Sequence, residues 1–129
     1  MNKKVYEIDG SNSSNLDEFA ANFTDKLNLE IDWRGNLDAF NDILHGGFGT
    51  PDEGFILVWK NSELSRHSLG YPETIKWLEE RIQNCHPSNV EHFKQRLELA
   101  QQNKGKTIFD TLIEIISSDD HKDIELRLE

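Results

Sequence analysis

The chain has 129 residues, with 14 Lys plus Arg against 24 Asp plus Glu and a formal net charge of −10. That length suits a single domain, 1–129, able to bury a core without a disulfide or a metal. The charge argues against nucleic-acid binding through a basic surface and against an anionic membrane, and it favours a basic protein partner because opposite fields speed encounter.

No run approaches the ~20 apolar residues that cross a bilayer. The start, Met1-Asn2-Lys3-Lys4-Val5, lacks the apolar core of a secretory signal. Cys85 is the single cysteine, which excludes an internal disulfide and fits a reducing compartment.

Val5–Ile8 reads as a first strand, closed by the Asp9-Gly10 turn. Ser14 and Asp17 have the spacing of a capping box, and Leu16, Phe19, Ala20, Phe23 and Leu27 then share one helical face. After a loop, a second helix is predicted from Asn36 to Leu44, inward at Leu37, Phe40 and Leu44, stopped by His45-Gly46-Gly47-Phe48-Gly49. Phe55–Trp59 is apolar without alternation, as in a central strand buried on both faces. Tyr71-Pro72 opens a helix with the stripe Ile75, Leu78 and Ile82, and His86-Pro87 breaks it. Ser88 and Glu91 form a second box ahead of Val90, Phe93, Leu97 and Ala100. Thr107 and Asp110 cap a last helix, Ile108 to Ile116, apolar around most of its circumference. Ile124, Leu126 and Leu128 alternate with charged residues as a final strand.

Strands separated by helices pair in parallel through right-handed crossovers. The expected fold is α/β, a small three-stranded parallel sheet packed against helices. Residues 61–106 are expected as a helical insertion before the last helix and strand.

Asp38, Asn41, Asp42 and His45 follow i, i+3, i+4, i+7 spacing and make a polar stripe opposite the buried face of the second helix. Like charges at i, i+4 repel by about 0.2–0.5 kcal/mol. Asp42 also lies in the last turn, where the helix dipole disfavours an anion by roughly 0.3–1 kcal/mol. Neither helps folding. The stripe reads either as a solvated face or as an acidic ridge awaiting a cation, for carboxylates pair bidentately with Arg.

Asn36-Leu37-Asp38-Ala39-Phe40-Asn41-Asp42-Ile43-Leu44, following Trp33 and Gly35, resembles the second helix of barstar and its relatives, intracellular inhibitors of secreted ribonucleases of the barnase type. The resemblance covers residues 4–60 and 107–129, and it implies the same sheet and a bacterial cytoplasmic setting. It also implies that the acidic helix and its preceding loop plug a ribonuclease active site, the carboxylates standing in for RNA phosphate. Asp38 and Asp42 match the two aspartates of the inhibitory helix. Glu114 corresponds to a third acidic contact, with Asp32, Trp33, Arg34, Gly35, Asn41 and His45 framing the interface. The sequence departs from the family at Trp33-Arg34-Gly35-Asn36, where glycine falls one place late, and at Asn41, where the family has tryptophan.

Other chemistries fit less well. Asp38 and Asp42 lack the further oxygens a hard cation needs, and Cys85, His86 and His92 follow no zinc spacing. Gly46-Gly47-Phe48-Gly49 has neither the strand nor the Lys-Ser/Thr of a phosphate loop, and reads as a helix stop or as a loop tip beside the partner site. His121 falls in a polar turn and is expected in solvent. The reading is a non-enzyme without metal or cofactor, an inhibitor of a basic ribonuclease. The alternative is an interaction module on the same fold for another protein, with the helices of 61–106 as its contact surface.

Overall fold

The computed structural model describes residues 3–31, 33, 36–46, 49–51 and 53–129. Strands β1 (Lys4–Asp9), β2 (Phe55–Lys60) and β3 (Ile124–Leu128) form one sheet in the order β1-β2-β3. All pairs are parallel, with Lys4 opposite Phe55 and Phe55 opposite Ile124. Helices α1 (Leu16–Lys26) and α2 (Leu37–His45) lie in the first crossover, and α3 (Ser62–Ser68), α4 (Tyr71–Asn84), α5 (Val90–Gln101) and α6 (Ile108–Ile116) lie in the second. The expected α/β architecture is present.

β2 is central because its side chains want burial on both faces: Phe55, Leu57, Val58 and Trp59 are all buried. The core joins it to Phe19 and Phe23 of α1, Phe40 and Ile43 of α2, and Phe109 and Leu112 of α6. At its centre Phe19 stacks on Trp59 at 4.9 Å between ring centroids.

Helix starts differ from expectation in two places. The N-cap of α1 is Asn15, whose side chain accepts from Glu18 N–H, while Glu18 reaches back to Ser14 N–H, so the Ser14/Asp17 box is displaced by one residue. The Ser88/Glu91 box does not form: His86 Nδ1 accepts from Ser88 N–H across a 3-10 turn, Pro87–Asn89, and α5 begins at Val90. The Thr107/Asp110 box of α6 is complete.

α3 was not foreseen. Its buried residues are Ser62 and Ser65, so it carries no apolar stripe. It is fixed instead by a hydrogen bond from Trp59 Nε1 to Ser65 Oγ at 2.9 Å. Residues 61–106 are tied to the core at several points. Leu69 is a member of it, Phe109 N–H donates to Leu69 O, and Ile108 N–H donates to Thr74 Oγ1. α5 packs on α4, with Trp77 edge-on to Phe93.

Candidate acidic interface on the second helix

α2 begins where Asn36 Oδ1 accepts from the N–H groups of Asp38 and Ala39, at 3.0 and 3.1 Å. Asn36 N–H in turn donates to Trp33 O at 2.8 Å, which ties Trp33 to the helix start. Leu37, Phe40, Ile43 and Leu44 drive one face of α2 into the core. Helical spacing then places Asp38, Asp42 and His45 outward, and all three are exposed. Among the described residues, neither aspartate takes part in an ion pair. Asp38 sits in the first turn, where the helix dipole favours it; Asp42 sits in the last, where it does not.

The remaining expected contact residues divide. Trp33 is corrected from a contact residue to a core residue, 2% exposed. Its indole stacks on Phe40 at 4.4 Å and meets Phe19 and Phe23 edge-on, so aromatic packing holds it inside. Glu114 is exposed on α6, a helix that packs against α2, and pairs with Lys106 at 2.7 Å. Both ends of that pair are solvent-exposed, so it adds little stability and is readily exchanged. Asp32, Arg34 and Gly35 lie outside the described residues, as do Gly47 and Phe48 of the expected loop tip.

Asn41 is half-buried rather than part of the open ridge. Its Oδ1 lies 2.8 Å from His121 Nε2. His121, expected in solvent, is 4% exposed, and its ring meets His45 edge-on at 4.5 Å. Burial is the main cause that lowers its pKa, His45 lowers it further, and Asp120 opposes both. Nothing in the polar run Asp119–Asp123 signals this contact, because it is made only when the 3-10 turn Asp119–His121 folds against α2.

Among the described residues, no group of three or more His, Cys, Asp or Glu side chains is arranged to hold a metal. None of the described helices is long and apolar enough to cross a membrane. What α2 offers is a pair of exposed carboxylates one helical turn apart, without an ion-pair partner among the described residues.

A search of curated proteins finds no match. The family model described as Barstar (barnase inhibitor) matches residues 3–129. The match spans residues 61–106 as well, where the sequence resemblance had been limited to 4–60 and 107–129. With this match, a parallel three-stranded sheet and an acidic helix in its first crossover, the chain belongs to the barstar family.

Proposed function

We propose that this chain is a protein inhibitor of a basic ribonuclease of the barnase type, acting without catalysis, metal or cofactor. Asp38 and Asp42 receive the cationic groups that would bind RNA phosphate, with His45 at the C-terminal end of the contact, Asn41 at its edge, and Glu114 available once Lys106 is displaced. Asp32, Arg34 and Gly35 complete the contact from the preceding loop. Residues 1–129 act as one unit, and residues 61–106 are a helical elaboration within it. The reading is placed in a bacterial cytoplasm.

The observation that carries this reading is the pair of exposed aspartates on a helix whose other face is locked in the core, with no ion-pair partner among the described residues. Such a pre-organised acidic face loses little entropy on binding and attracts a cationic cleft over long range.

The test is calorimetric titration against a barnase-type ribonuclease at low and moderate salt, with Asp42→Ala beside the unaltered protein. Tight binding that weakens with salt is expected. Removing one partner of a desolvated charge pair costs about 2–5 kcal/mol or more, and the barnase–barstar complex is itself a standard case of close charge pairs coupled across an interface. Equal affinity of Asp42→Ala and the unaltered chain would overturn the proposal.

The burial of Trp33 favours a second reading, because it removes an aromatic that the resemblance had placed at the contact. On that reading the same fold binds a protein other than a ribonuclease, with the helices of 61–106 as its contact surface. It predicts no heat with the ribonuclease and capture of a different partner that depends on those helices and survives Asp42→Ala.

A further inference from the structure

Three side chains from two elements meet behind the acidic face. Asn41 and His45 come from α2, and His121 comes from the turn leading to β3. An amide oxygen only accepts, so the 2.8 Å contact with Asn41 Oδ1 puts a proton on His121 Nε2. Nδ1 is then the unprotonated nitrogen of a neutral ring. It is buried, with no hydrogen-bond partner among the described residues.

We propose that His121 is a positioning residue for the acidic face of α2: it holds Asn41 while its imidazole is neutral, so the face is fully formed near neutrality and loosens on acidification. This inference rests on the reading of α2 as the binding face and adds a pH response to it.

Protonation at Nδ1 would create a buried N–H without an acceptor and a charge against the His45 ring at 4.5 Å. The small cavity beside His121 is lined by His45 from α2 and by Asp120, Lys122 and Asp123 from the segment before β3. Asp120 favours the charged ring, but burial and His45 prevail and lower its pKa. A protonated ring is relieved by turning to water, and that movement releases Asn41 Oδ1. A cationic partner seated on Asp38 and Asp42 also disfavours positive charge at His121. Both effects have one sign, and binding weakens as pH falls.

His121→Gln keeps a side-chain N–H for Asn41 and does not titrate. Affinity for a barnase-type ribonuclease is measured for both proteins from about pH 7.5 to about pH 5.5, on either side of the ordinary histidine range. The unaltered protein is expected to lose severalfold more affinity than His121→Gln, with a ceiling of roughly tenfold per pH unit for one linked proton. Comparing the two proteins cancels the partner's own titration. Superimposed pH profiles overturn the proposal.

A second measurement needs neither partner nor variant. In NMR spectra of the free protein, the Asn41 side-chain amide is expected to shift with the same midpoint as the His121 ring. An Asn41 amide that stays constant while the ring titrates also overturns it. Asp42→Ala separates the two ideas. If it binds as tightly as the unaltered chain, the ribonuclease reading fails and the NMR titration alone decides the role of His121.

Discussion

Ser65→Ala tests the least expected element of the fold, a helix seated on its serines. Trp59 is fully buried and Ser65 is 1% exposed, and the indole N–H donates to Ser65 Oγ at 2.9 Å. Removing a single oxygen leaves too small a space for a cavity to dominate. The main cost is an indole N–H left buried without an acceptor, about 1–3 kcal/mol. Alanine recovers roughly 0.5 kcal/mol of helix propensity in α3. The net loss is therefore about 0.5–2.5 kcal/mol, or about 2–9 °C in Tm for a chain of this length. Urea unfolding of Ser65→Ala, Trp59→Phe and the double variant closes a mutant cycle. Once Trp59→Phe has removed the donor, Ser65→Ala should be nearly neutral. An equal cost of Ser65→Ala in both backgrounds would refute the reasoning, because the hydroxyl would then be acting through something other than the indole.

Gly54→Ala should unfold the sheet edge or lower stability by about 3 kcal/mol or more. Gly54 has φ +87°, and a Cβ there would collide with the backbone oxygen of Asp123, which no rotamer change relieves. A thermal melt matching that of the unaltered chain rules this out. Stability should also fall as pH drops below the ordinary histidine range. The folded state holds the pKa of His121 below its unfolded value, so the unfolded chain takes up the proton first and stability is complete only above that value. The slope is at most about 1.4 kcal/mol per pH unit, and His121→Gln should flatten it in urea titrations. A second loss belongs to Asp9, held at about 2 chiefly by hydrogen bonds from Asn61 and Ser11; it begins as pH falls to the ordinary value of 3.8, where the unfolded chain protonates first, and ends as pH passes below about 2. Unchanged slopes in His121→Gln would assign the first window to another group.

Elements whose burial is apolar and periodic are legible in the sequence. Phe19, Ala20 and Phe23 mark α1, Leu37, Phe40 and Leu44 mark α2, and the run Phe55–Trp59 marks the central strand. α3 is invisible to that logic because its inward face is Ser62 and Ser65, polar groups satisfied by tertiary partners such as Trp59 Nε1 and the Glu129 carbonyl. The Ser88 box fails for a related reason: His86 already accepts the N–H of Ser88, and the chain makes a 3-10 turn before α5 can start. On α2, spacing alone orients Asp38, Asp42 and His45 outward, since one face of a helix follows from the other. Spacing does not place Trp33, which is held by three aromatic rings from α1 and α2. Nor does it join Asn41 to His121, 80 residues apart in the chain.

The parallel register has a kinetic consequence. β2 has strands on both sides, and its partners arrive only through long crossovers, Lys4 meeting Phe55 and Phe55 meeting Ile124. The entropy of closing each loop is lost before its ladder hydrogen bonds are gained, which slows formation of the sheet, although the helices form within about a microsecond. α2 lies inside the first of those loops. Until β1 and β2 meet, Phe40 and Ile43 have no core to enter, and nothing fixes which face of the helix turns to solvent. A competent acidic surface therefore matures with the sheet rather than with the helix that carries it. In refolding experiments, recovery of binding should follow the slow burial of Trp59, not the fast return of helical signal.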